Sequence, residues 1–210
     1  MNRQSKGRLV VVDGLGKSGK TSICRRLEKR LSPESTLFTR EPGGTLLAEE
    51  IRRILMRGEI KLSPLTHVLL FFATRRAHIE EVILPALSQG KNVICARFDS
   101  STDAYNLWGE NAHHLRWLFR ALREQVVSSE VNPFYIILDV EPRTAYERHL
   151  ATREGAEPDQ FDDQDVSFYE RVQRGFLEFA SQHHSEIVDA NCSLDELEER
   201  VLAVVNHILT

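Results

Sequence analysis

Five short apolar runs punctuate the chain: LVVVD at 9–13, TLFTR at 36–40, NVICA at 92–96, FYIILD at 134–139 and EIVDA at 186–190. Each is nearly continuous in hydrophobicity, which predicts strands buried on both faces, as in a parallel sheet. Helical spacing fills the intervals. One helix follows Lys20, another covers roughly 45–57, and a long one starts at Ser63-Pro64, a cap followed by a proline in the first turn. Its apolar pattern continues to Pro85, where a kink or an end is expected. Further helices are expected over 112–130, 142–152 and 164–183. Ser193-Leu194-Asp195-Glu196 is a capping box, and Leu194, Leu197, Val201, Val204, Val205 and Ile208 form one apolar stripe behind it. The alternation predicts a doubly wound α/β domain with ligands at the carboxyl ends of its strands. No linker divides residues 1–210, so one domain is expected.

Composition narrows the class. The 210 residues suit one core, since single cores stop growing near ~250–300 residues. Hydrophobic residues make up 41% and charged residues 28%, as in an ordinary soluble protein, and a net charge of −4 gives no basic field for nucleic acid. No apolar run approaches the ~20 residues that span a bilayer, and MNRQSKGR lacks the apolar core of a signal peptide. A cytoplasmic protein, without membrane or nucleic-acid partner, is expected. Cys24, Cys95 and Cys192 form no CxxC pair, and Cys95 reads as a small core residue.

The stretch GLGKSGKTS follows the first strand. Gly14, Gly19, Lys20 and Thr21 fit GxxxxGK[ST], between a predicted strand and a predicted helix. Glycines let the backbone turn so that several N–H groups face an anion, and the helix adds its positive end. Gly14, Leu15, Gly16, Lys17, Ser18, Gly19, Lys20, Thr21 and Ser22 are the donor-binding candidates. Lys20 is placed to bridge terminal phosphates, and the Thr21 hydroxyl to hold Mg²⁺. The expected fold is thus a P-loop NTPase-type three-layer sandwich: a five-stranded parallel sheet with helices on both faces. No guanine-reading [NT]KxD follows, which argues against a GTPase. Asp139 ends FYIILD either as a catalytic acid or as a strand-end carboxylate capping a loop.

Three further segments carry a resemblance. TREPGGTLLAEEIRRIL starts at Thr39, LLFFATRRAHIEEVILPALSQGKNVICARFDSSTDAY runs from Leu69 to Tyr105, and LDVEPRTAYERHLATREGAEPDQFDD starts at Leu138. With the loop, in this order and spacing, they closely resemble bacterial thymidylate kinases over nearly the whole chain. The resemblance implies transfer of phosphate from ATP, with Mg²⁺, to dTMP, and a homodimer packed through long helices. It implies that Phe71 stacks on the thymine, Arg75 bonds its carbonyl edge, and Arg97 holds the acceptor phosphate. Thr102, beside Ser101, reaches the base edge, and Tyr105 crowds the 2′ position. Arg40 lies at the end of the second strand, on the same crevice. The segment 143–165 looks like a helical lid, in which Arg148 and Arg153 neutralise charge on the transferred group. The acidic run Asp162-Asp163-Gln164-Asp165 reads as a solvated loop, and His113-His114 and His183-His184 as surface pairs.

The chain also departs from that pattern. Gly16 stands where the family places an acid that bonds the sugar 3′-hydroxyl. Beside it is Lys17, where some relatives outside the bacteria carry a catalytic arginine. Ala96 replaces the aspartate of DR[FYH], NLWGEN replaces QGxGRG, and Gln160 stands where an arginine is common. Asp99 or Asp139 is a candidate to replace the lost carboxylate, and Lys17 to add positive charge. Three readings follow: an active dTMP kinase, a kinase for another pyrimidine monophosphate, or a nucleotide-binding homologue with weak or no turnover.

Overall fold

The computed structural model describes residues 6–56, 60–127, 131–153 and 164–209, with Met56 and Arg153 described by backbone alone. Five strands, β1 (Leu9–Gly14), β2 (Thr36–Arg40), β3 (Asn92–Ala96), β4 (Phe134–Asp139) and β5 (Ser185–Asp189), form one parallel sheet in the order β2-β3-β1-β4-β5. All six residues of β1 are buried, as its continuous apolar run requires at the centre of a sheet covered on both sides.

Helices α1 (Lys20–Arg30) and α9 (Leu194–Leu209) pack together on one face of the sheet. The opposite face carries α2 (Leu46–Met56), α3 (Pro64–His78), α6 (Arg116–Val126), α7 (Pro142–Arg153), α8 (Val166–Gln182) and the segment 99–109. The capping box forms as read: Ser193 Oγ accepts the Glu196 N–H at 3.3 Å, and Glu196 Oε2 accepts the Ser193 N–H at 3.0 Å.

The long helix does not stop at Pro85. It widens into a π-turn over Ile79–Ile83, where the Leu84 N–H reaches Ile79 O, and continues as α4 (Leu84–Ser88). A wider turn accommodates a proline that has no N–H to offer. A short helix α5 (Asp99–Thr102) likewise widens into a π-turn over Asp103–Gly109. Helix α6 is shorter than the 112–130 expectation and is preceded by a 3₁₀ turn, His113–Leu115.

Strand order decides where a ligand sits. β1 leads into α1 on one face, and its neighbour β3 leads into residues 97–109 on the other. The carboxyl ends of β1 and β3 therefore flank a topological switch point, where open α/β sheets bind ligands.

Candidate active site

The glycine loop occupies that switch point. Gly14 has φ +139°, and a Cβ there would lie 2.4 Å from Leu138 O, so β1 meets β4 only with glycine at this position. Lys20 opens α1 and is almost fully buried. Its Nζ donates to Gly14 O at 2.7 Å, to Leu15 O at 2.5 Å and to Ser18 Oγ at 3.4 Å, folding the ammonium under the loop. Burial lowers the Lys20 pKa well below that of a free lysine, the nearby Arg97 lowers it further, and Asp13 opposes both. Thr21 and Ser22 are exposed on the first turn of α1. Lys17 is exposed, with φ +63°.

The acceptor candidates come from β2, α3 and the segment after β3. Arg97 also sits in the left-handed region, at φ +68°. A non-glycine residue held there marks a turn fixed by its surroundings. Its Nη1 donates to Ser101 Oγ at 3.2 Å, and its guanidinium lies 5.4 Å from the Tyr105 ring centre. The Tyr105 hydroxyl accepts the Gly16 N–H at 2.6 Å.

Arg75 is 1% exposed and sits between Phe72 and Phe98, at 4.9 and 5.0 Å from their ring centres. Its Nε donates to Glu41 Oε2 at 2.9 Å and its Nη2 to Thr102 Oγ1 at 3.1 Å. Its Nη1 is buried without a hydrogen-bond partner among the described residues. An unmatched buried donor is costly and suits a ligand that brings an acceptor. On the same helix Phe72 is core and Phe71 half-buried. Arg76 is exposed and ion-paired to Glu80.

Other candidates lie further from this centre. Arg40 is exposed and pairs with Glu49 at 3.0 Å. Arg148, exposed on α7, reaches back to donate to Lys17 O at 3.2 Å. Arg153 ends α7 with only its backbone described, and residues 154–163, with Gly155, Pro158, Gln160, Asp162 and Asp163, lie outside the described residues. Asp165 is not simply solvated: it caps α8, accepting the Phe168 N–H at 3.0 Å. His183 is likewise no plain surface residue, since its ring stacks on Phe179 with centres 3.9 Å apart.

Neither Asp99 nor Asp139 replaces the carboxylate absent at Ala96. Asp99 is fully buried against the Tyr135 hydroxyl and Arg123, at 2.6 Å each. Asp139 accepts from Gln173 Nε2 at 2.7 Å. Two carboxylates at the site were not legible as functional. Asp13 is the next-to-last residue of β1, beneath the loop, and Glu41 ties Arg75 to His78, whose Nδ1 lies 3.0 Å from Glu41 Oε1. The signal for Asp13 was the acid ending LVVVD; Glu41 stood inside TREPGGT beside the more obvious Arg40.

A phosphate loop at the switch point, facing two arginines anchored across the crevice, defines a P-loop phosphotransferase. The chain belongs to the thymidylate kinase family: the family model Thymidylate kinase matches residues 12–201. It is 37% identical to a thymidylate kinase of Dinoroseobacter shibae, covering 94% of this chain and 95% of that one. With a thymidylate kinase of Deinococcus radiodurans it shares 33% identity, covering 96% and 98%. The crystal structure of thymidylate kinase from Ehrlichia chaffeensis superposes with a TM-score of 0.76 at 29% identity, covering 96% of this chain and 99% of that one. The family phosphorylates dTMP to dTDP with ATP as donor.

Proposed function

We propose that the chain transfers the γ-phosphate of ATP to dTMP in the cytoplasm, with the donor on the loop from Gly14 to Ser22 and the acceptor against Arg75 and Arg97. The observation that carries this division is the convergence of Lys20 and Arg97. One cation comes from the donor wall and one from the acceptor wall: Lys20 lies under the loop whose Gly16 N–H is held by the Tyr105 hydroxyl at 2.6 Å, and the Arg97 guanidinium lies 5.4 Å from the ring centre of that same tyrosine. Two cations brought together suit a pair of phosphates meeting between them.

In the transfer, Lys20 leaves the loop carbonyls and follows the β- and γ-phosphates. Arg97 holds the acceptor phosphate in line, and Arg75 offers its unmatched Nη1–H to the base carbonyl while Phe71 stacks on the ring. Thr102 fixes Arg75 and, with Ser101, borders the base. Arg40 adds positive charge at the edge of the crevice. Lys17, Arg148 and Arg153 balance charge on the moving phosphoryl group, and 143–165 acts as the lid.

Mg²⁺ fits this site through Thr21. Among the described residues no three His, Cys, Asp or Glu side chains cluster to cage a metal, whereas Mg²⁺ commonly keeps its waters and uses phosphate oxygens with few protein ligands. When bound it neutralises charge on the phosphates.

The dimer reading is supported by exposed apolar side chains on three neighbouring helices: Leu46, Leu47 and Ile54 on α2, Leu65 and Leu69 on α3, and Trp117 on α6. A second copy covering that face would bury them.

Kinetics of Lys20→Ala and Arg97→Ala test the two-wall reading. Lys20→Ala is expected to abolish transfer. Arg97→Ala is expected to raise KM for dTMP more than KM for ATP. Equal changes in both constants would remove Arg97 from the acceptor site.

A further inference from the structure

We propose that Asp13 is the positioning residue that aims Arg97 at the acceptor phosphate and ties the acceptor turn to the donor loop. This rests on the reading that Arg97 holds that phosphate. Asp13 is fully buried at the end of β1 and accepts four hydrogen bonds, two on each oxygen. Oδ1 takes the Gly14 N–H at 2.9 Å and the Ser101 hydroxyl at 2.8 Å. Oδ2 takes the Ser100 hydroxyl at 2.6 Å and the Phe98 N–H at 3.3 Å. One partner belongs to the phosphate loop and three to the turn after β3.

Ser101 is the link to chemistry. Its proton goes to Asp13, so its oxygen lone pairs are turned toward Arg97 Nη1. The carboxylate thereby fixes the direction of the guanidinium through one hydroxyl. Arg97 has an unfavourable backbone angle and needs such a hold. The Arg97 N–H to Val12 O bond, at 3.1 Å, secures the same residue from the neighbouring strand.

Charge explains why an acid is needed. Lys20 and Arg97 repel each other, and Asp13 is the negative group that offsets this at Lys20. In this chain β3 ends in Ala96, in register with Val12, so the anion comes from β1, one residue further on. An amide at position 13 would remove the charge and turn an N–H₂ toward two of the four donors.

The test compares Asp13→Asn, Ser101→Ala and Ser100→Ala with the parent, reading KM for dTMP, KM for ATP and Tm. Ser101→Ala is expected to raise KM for dTMP about tenfold, the size of one lost hydrogen bond to a charged group, with little change for ATP, whereas Asp13→Asn is expected to raise KM for dTMP by as much and, through Gly14 and Lys20, KM for ATP as well. Combining them adds little, because both act through one contact. Ser100→Ala, which touches Asp13 but not Arg97, is expected to lower Tm and leave both constants unchanged. Ser101→Ala with an unchanged dTMP KM overturns the proposal, even where Asp13→Asn fails to fold. If Arg97→Ala raises that constant and Ser101→Ala does not, only the role of Asp13 falls. If Arg97→Ala also leaves it unchanged, the acceptor reading falls with it.

Discussion

The Tyr105 hydroxyl and the Gly16 N–H are joined at 2.6 Å, so a side chain of the acceptor wall holds the middle of the phosphate loop. Burial raises the Tyr105 pKa, with Arg97 opposing, so the phenol stays neutral at physiological pH. Tyr105→Phe keeps the ring beside Arg97, Phe168 and Phe176 and removes only the oxygen. Loss of about 1 kcal/mol is expected, a fall in Tm of about 2–4 °C in a scan. KM for ATP should rise, because the loop loses an anchor. Selection against the ribose form of the acceptor should persist, because the ring is still there.

Gly16 is not required by its backbone. A Cβ there would meet only the Tyr105 hydroxyl, at 3.5 Å, an ordinary contact. Gly16→Asp is therefore expected to fold and to restore the acid that resembling kinases place against the sugar 3′-hydroxyl. KM for dTMP should fall several-fold while KM for a 3′-deoxy analogue should not, as measured by ADP release. Equal effects on both would place position 16 away from the sugar.

The sheet was legible because its strands are unbroken apolar runs; β2, β3 and β4 match the expected spans, β1 runs one residue longer, to Gly14, and β5 shifts by one residue. Lys20 was legible because its spacing to Gly14 and Gly19 is local. Asp13 and Glu41 were not, because their partners come from far along the chain: Ser100 lies 87 residues from Asp13, and Arg75 34 from Glu41. A carboxylate's role depends on what meets it across the fold, and a one-dimensional pattern records only what precedes and follows it. Asp139 and Asp99 show the same point in reverse, since acids that looked available are held by Gln173, and by Tyr135 and Arg123. The π-turn before Pro85 was illegible for another reason: proline predicts a kink or an end, and the pattern does not record that the helix meets the proline by widening and then continuing.

Asp103 gives a pH dependence unrelated to catalysis. Its pKa is raised to about 7, first by burial, with Asp99 and Glu178 adding to the rise and Arg116 and Arg120 opposing it. A raised pKa means that the native state prefers the proton. The contribution is fully present below about pH 4 and is lost as pH climbs through about 7. Asp103→Asn mimics the neutral form. Its Tm relative to the parent should therefore be higher at pH 8 than at pH 4.5, by at least about 4 °C, since three pH units correspond to a few kcal/mol. A difference independent of pH would show that Asp103 keeps an ordinary pKa.

Transfer of the label from γ-³²P-ATP tests the central claim most directly, with dTMP, dUMP, dCMP and dAMP compared as acceptors in the presence of Mg²⁺. The expected result is label in dTDP, formed faster than any other diphosphate and lost in Lys20→Ala. Label released only to water, or carried preferentially to another monophosphate, would contradict it.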